Sequence, residues 1–217
     1  MAQLDYFLTA GHGGKDPGAV ANGLKEKDVN LVMMLECHRE LKRHGLKGML
    51  SREVDENDPV SEEVQEANMS NTKIAVSFHN NAGGGDGAEF FHHKTSEDGK
   101  VLACLCEKYV KQIGQNSRGL KTKSLMFTRQ TTMPAVLVEG AFLDNKEDVK
   151  VIDTVPEQKA FGVAIAKAIL EYFKIPYIPE VKTLYKVQVG AYTKKANAEK
   201  LALELEEKGY HTFIVTS

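Results

Sequence analysis

The chain has 217 residues, enough for one well-buried domain and a smaller appendage. Lys and Arg number 28 against 30 Asp and Glu, so no broad basic field recommends nucleic acid or an anionic membrane as partner. The apolar content of 42% suits a soluble globular protein, no apolar run reaches the roughly 20 residues that span a bilayer, and Cys37, Cys104 and Cys106 read as reduced filler.

The run YFLTA, residues 6–10, is short, apolar and followed by glycine, which predicts a buried strand. The loop after it, GHGGKDPGA, sets His12 among glycines. Its spacing matches neither G-x-G-x-x-G nor the P-loop, and Pro17 interrupts a helix start behind it, so a phosphate cradle is disfavoured. Val29, Leu31, Val32, Leu35 and Leu41 predict a helix over 27–44 closed by Gly45, with Glu26 in its first turn. LKGMLSR predicts a second strand, 60–71 a helix, 73–79 a third strand, and NNAGGGDG a loop. AEFFHH then reads as a strand, 96–115 as an amphipathic helix, 134–142 as a strand buried on both faces, and 156–173 as the closing helix. Unbroken apolar strands alternating with helices predict an α/β fold: a twisted, mostly parallel mixed sheet flanked by helices on both faces.

KIPYIPEVK, with two prolines, reads as a stiff linker. Beyond it LYKVQVGAY, KKANAEKLALELEEKGY and HTFIVT predict a small C-terminal βαβ unit, too short to hold much core alone. The expected division is a main domain over 1–175, a linker over 176–182 and the βαβ unit over 183–217.

Polar groups stand where predicted strands leave the sheet: His12 after the first, His79 after the third and Glu139 within the last. Ligands of open α/β sheets bind at those carboxyl ends, so the three residues can converge. Singly, a histidine there is more often a structural hydrogen-bonder, and Glu26 is explained by the helix dipole. Glu139 is harder to dismiss, because a carboxylate emerging from the buried run AVLV needs a partner.

In order, AGHGGKDPGA, EKDVNL, SFHNNA and MPAVLVEGAFLDN resemble the four signature segments of the zinc-dependent N-acetylmuramoyl-L-alanine amidases of the amidase-3 family, over residues 4–173. The resemblance implies one Zn2+ per chain on His12, Glu26 and His79, with Glu139 as the catalytic glutamate. It implies hydrolysis of the amide between N-acetylmuramic acid and L-alanine of the peptidoglycan stem. Two imidazoles and one carboxylate leave a fourth tetrahedral position open, as a hydrolytic site requires. Gly11, Gly13 and Gly14 would let the backbone turn around His12, and Gly83, Gly84, Gly85 and Gly87 would do likewise beyond His79. Arg118 and Arg129, in a segment the resemblance also covers, are candidate substrate contacts, with ordinary surface arginines as the plainer reading. Glu63 stands where the family commonly has arginine, which puts a helix ion pair in doubt but not the metal site. Asn80 either orients a ligand or caps its loop. His92 and His93 are not placed on the metal, and Lys15 and Asp16 are open as contacts to the wall polymer. Two rivals are a zinc peptidase cutting within the stem peptide and a non-catalytic wall-binding protein.

Residues 184–216 resemble one half of a SPOR repeat. That implies glycan binding or, if two tails pair into a four-stranded sheet, a homodimer. The start MAQLDYFLTAGH shows no secretory leader. Synthesis in the cytoplasm and action on the bacterial wall after release by lysis or a holin are expected, as for a sporulation autolysin or a phage endolysin.

Overall fold

The computed structural model describes residues 3–180 and 187–216. In chain order, β1 (Leu4–Ala10) is followed by a hairpin of β2 (Val20–Ala21) and β3 (Leu24–Lys25), then α1 (Glu26–Arg43), β4 (Gly48–Leu50), α2 (Val60–Met69) and β5 (Thr72–Asn81). Next come β6 (Ala88–His92), α3 (Glu97–Gln112), β7 (Ser117–Lys121), α4 (Met126–Gln130), β8 (Ala135–Phe142), α5 (Val155–Tyr172) and α6 (Lys195–Glu206).

Six strands form one sheet in the order β4-β1-β5-β8-β6-β7. The first four run parallel, β6 runs antiparallel to β8, and β7 runs parallel to β6. The expected mixed sheet is therefore present, and chain length explains its reversed pair. Residues 82–87 between β5 and β6 are too few for a parallel crossover, which needs a dozen or more, so β6 enters the sheet from the end where β5 left it. The β2–β3 hairpin and β7 are additions to the predicted elements. Asn22 and Gly23 both take positive φ (49° and 79°), the backbone of a tight hairpin turn.

Strand alternation divides the interior into two unequal cores. Tyr6, Leu8, Ile74, Val76, Phe78, Phe90, Val136 and Val138 face the helices α1, α3 and α5 in the larger core. Phe7, Ala75 and Ala135 point the other way, against Val64 and Ala67 of α2 and Phe127 of α4. His79 and Glu139 continue that second face, where the smaller helices leave the carboxyl end of the sheet uncovered. No helix among the described residues is long and apolar enough to cross a membrane.

The chain's contacts divide it into one unit ending at Ile178 and another beginning at Pro179. Tyr177 stacks on His44 with centroids 5.2 Å apart, and the Ile178 N–H donates to His44 Nε2 at 2.9 Å, so this part of the expected linker is fastened to the first unit. In the second unit the predicted helix is present as α6. The two predicted tail strands are not: within 187–194 and 210–216 no residue joins a ladder, and residues 181–186 lie outside the described residues. A two-strand ribbon with one helix buries too little to stand alone, and α6 has no buried residue.

Candidate active site

The register of three strands assembles the site. His79 on β5 pairs with Glu139 on β8, and Glu139 pairs with Glu89 on β6. On the other side, Ala10 pairs with Phe78, which brings Gly11 beside His79. A Cβ on Gly11 would lie 2.0 Å from His79 Cε1, so the glycine is there to admit the ring. His12 follows with φ 67°, a left-handed conformation that an L-residue other than glycine takes only when its surroundings impose it.

Glu26, the first residue of α1, joins the two histidines. Its Oε2 lies 3.2 Å from His12 Nε2 and its Oε1 lies 3.1 Å from His79 Nδ1. One ligand atom from each residue falls within 4.8 Å of the others. Donors about 2.1 Å from a tetrahedral ion stand about 3.4 Å apart, so this set of two nitrogens and an oxygen fits a single ion and leaves room for a fourth ligand. The three side chains also bond to one another. Hydrogen bonds from both imidazoles hold the Glu26 carboxyl well below the usual carboxylate range, overcoming the opposing effect of its burial. His12 rises to about 9, chiefly through Glu26 and, beyond the opposing burial, through Asp16. Burial pulls His79 down, but Glu26 and Glu139 together push it above its ordinary value.

The sequence carried little signal for the residues that hold this cluster. Asp16 Oδ2 takes the hydrogen bond of His12 Nδ1 at 2.8 Å, which turns Nε2 toward Glu26; Asp16 is thus engaged with His12 itself. Asn80 is an orienting residue: its N–H donates to Glu26 Oε1 at 3.0 Å and its Nδ2 to Asn30 Oδ1 at 2.8 Å. Asn30 Nδ2 in turn donates to the Gly11 carbonyl at 3.0 Å. Gly18 is a further requirement, since a Cβ there would lie 2.5 Å from Glu26 Oε2.

A second brace comes from residues 51–59, between β4 and α2. Arg52, only 2% exposed, donates through Nε to the Ala10 carbonyl at 2.9 Å, through Nη2 to the Lys27 carbonyl at 2.8 Å and through Nη1 to the Val54 carbonyl at 3.1 Å. One guanidinium therefore fastens the strand end before His12 to the helix start after Glu26. Asp55 accepts from the Gly14 N–H at 2.8 Å and from Lys27 Nζ, which also reaches the Gly14 carbonyl. Gly13 is pressed against this loop, where a Cβ would meet the Glu56 carbonyl oxygen at 2.1 Å.

Glu139 lies beside the cluster without belonging to it. Its Oε2 is buried with no hydrogen-bond partner, and burial raises its carboxyl to about 7. Glu63 is buried beneath the same face, with one carboxylate oxygen unpartnered and its carboxyl also raised to about 7 by burial. Arg118 pairs with Glu89, and Arg129 donates to Ser124 Oγ at 3.0 Å. His92 and His93 bond locally, to the His93 carbonyl and to Thr95 Oγ1, away from the metal-competent cluster. Cys37, Cys104 and Cys106 are free thiols.

An open α/β sheet with a His–Glu–His set and an unpaired carboxylate at its strand ends defines a hydrolase built around a metal-competent centre. Residues 7–171 match the family model described as N-acetylmuramoyl-L-alanine amidase, and residues 181–217 match the SPOR domain. The amidase CwlM of Bacillus licheniformis is 31% identical over 216 residues, covering 98% of this chain and 85% of its own length. An endolysin of Bacillus phage SPP1 is 36% identical over 179 residues, covering 76% of this chain and 66% of its own. The solved catalytic domain of the amidase CwlV from Bacillus (Paenibacillus) polymyxa superposes with a TM-score of 0.74 at 30% identity, over 80% of this chain and 100% of that one. The chain belongs to the N-acetylmuramoyl-L-alanine amidase family.

Proposed function

We propose that this peptidoglycan amidase holds one Zn2+ on His12, Glu26 and His79, with Glu139 moving the proton as the amide between N-acetylmuramic acid and L-alanine is hydrolysed. The observation that carries the reading is the position of Glu139: one strand from His79 in register, partly shielded, with an unpartnered oxygen and a carboxyl raised to about 7. Zinc, when bound, supplies Lewis acidity at the scissile carbonyl and a water that ionises near neutral pH. A shielded carboxyl with an unpartnered oxygen can both accept a proton and return it, so Glu139 is placed to take the attacking water's proton and deliver it to the leaving amine. Glu26 would contribute negative charge to the cation, while Asp16 and Asn80 hold the orientation of His12 and Glu26.

The test is digestion of purified cell wall, with products read by mass spectrometry. Free alanine amino termini beside intact glycan strands are expected; cuts between amino acids of the stem would favour the zinc peptidase, and no cleavage would favour a wall-binding protein. Glu139→Ala is expected to keep zinc and lose hydrolysis, whereas His12→Ala or His79→Ala loses both.

The SPOR match supports glycan binding by the second unit. Pairing of two tails into a homodimer is consistent with the exposure of Leu203 and Phe213, 62% and 92%, and sedimentation with and without residues 178–217 decides it. Action on the bacterial wall after release by lysis or a holin is supported by the phage endolysin among the relatives.

A further inference from the structure

The row of side chains that begins at the histidines continues past Glu139 to the far edge of the sheet. Glu89, the register partner of Glu139, accepts a hydrogen bond from Arg118 Nε on β7 at 2.8 Å and lies 4.0 Å from Lys121 Nζ. Two cations thus share the Glu89 carboxylate. Glu89 is largely covered, while the Arg118 side chain is 45% exposed. Arg118 is nonetheless held. Its guanidinium carbon sits 5.5 Å from the centre of the Phe142 ring, and its Cγ packs on Gly87, 3.3 Å from where a Cβ would stand. Its two terminal nitrogens make no hydrogen bond among the described residues. A guanidinium fixed at one edge and open at the other is prepared to take a carboxylate in a forked pair.

The position of Arg118 says which carboxylate. This step rests on the amidase reading, in which Glu139 hands a proton to the amine of the departing stem peptide. The peptide must then lie on the Glu139 side of the centre, away from His12. Strands are about 4.8 Å apart, so Arg118 stands roughly 10 Å beyond Glu139, the span of about three residues of extended peptide. We infer that Arg118, assisted by Lys121, binds an acidic group on the second or third residue of the stem peptide. The enzyme is then selective for stems whose carboxylates are free over stems in which they are amidated.

Two synthetic muramoyl peptides, one with free carboxylates at stem residues two and three and one amidated there, test this with the full zinc-loaded chain. The wild type is expected to show the higher kcat/KM on the acidic peptide. Arg118→Gln should lower kcat/KM for the acidic peptide roughly tenfold more than for the amidated one, the scale of a lost charge-assisted hydrogen bond. Lys121→Gln should do so more weakly. Calorimetry with the free acidic stem peptide should show the same weakening in Arg118→Gln without any turnover. Equal losses on both peptides, or a wild type indifferent to amidation, overturn the inference while leaving the amidase reading intact. A wild type that cleaves neither peptide overturns the amidase reading and this inference with it.

Discussion

Replacing Glu139 with glutamine separates the cost of burying this carboxylate from the use proposed for it. Its ordinary value of 4.5 is raised to about 7 in the folded protein, first by burial and then by the negative charges of Glu26 and Glu89, against the opposing effect of the histidines. An acid whose folded pKa lies above its unfolded one keeps its proton longer when folded. Between pH 4.5 and 7 the native state therefore binds more protons than the unfolded chain, and stability falls as pH rises through that window. The full cost above pH 7 is about 3 kcal/mol, of which about 2 kcal/mol accrues between pH 5 and pH 8. Glutamine does not titrate, and any offset from its carboxamide is the same at both pH values. In chelator-stripped protein, urea denaturation should show Glu139→Gln gaining about 2 kcal/mol relative to wild type on going from pH 5 to pH 8. Hydrolysis of cell wall should fall by at least about 100-fold in the same variant. A stability difference that does not change with pH, or that moves the other way, would refute the assignment of Glu139 as a carboxyl strained by burial.

Gly11→Ala should expel the His79 ring from its place, because the added methyl carbon would lie 2.0 Å from it; zinc affinity measured by chelator competition should drop by about 100-fold or more, and a wild-type affinity would contradict the packing described. Arg52→Lys cannot serve the Ala10, Lys27 and Val54 carbonyls together. With each stranded carbonyl costing about 1–3 kcal/mol, a loss of about 3 kcal/mol in urea denaturation is expected, together with weaker zinc binding. Asp16→Asn keeps the hydrogen-bond acceptor but removes the charge beside His12; zinc affinity should fall about tenfold, the lower end for such outer partners because Asp16 is exposed. Wild-type zinc affinity in Asp16→Asn would show that the Asp16 contact does not orient the ligand.

Much of the sheet was legible because its central strands are apolar on both faces. Residues 73–79 and 134–142 could be little else than buried strands, and they became β5 and β8 within a few residues of the expected ends. The edge was opaque for the opposite reason. β7 reads SRGLK, with no apolar run and with Gly119 at φ 81°, and it becomes a strand because β6 offers it an edge. The candidate ligands were legible as polar residues at strand ends, and Glu26 through the segment EKDVNL. Arg52 was not, since a buried guanidinium solvating three carbonyls looks in the sequence like any arginine in a polar loop. The tail's strands were expected from alternation alone, which marks a face to be buried but does not supply the partner that buries it.

Both glycine-rich loops of the site are secured in the same way, by carboxylates that accept main-chain N–H groups. Asp55 takes the Gly14 N–H beside His12, and Asp144 takes those of Gly83 and Gly84 beyond His79. Asp148, 3% exposed, takes the N–H groups of Gly87 and Phe142 and so ties the second loop to the end of β8. Glycine at these places admits neighbouring atoms and left-handed backbone, at the cost of a chain that is flexible when unfolded. The carboxylates offset that flexibility from outside the loops. Arg52 and Asp55 thus brace the loop that carries His12, while Asp144 and Asp148 brace the loop that follows β5. Substitutions at Arg52 or Asp55 should lower metal affinity before they alter the proton chemistry of Glu139, because Glu139 is anchored by the ladder between β5, β8 and β6 and neither of these two braces touches β8.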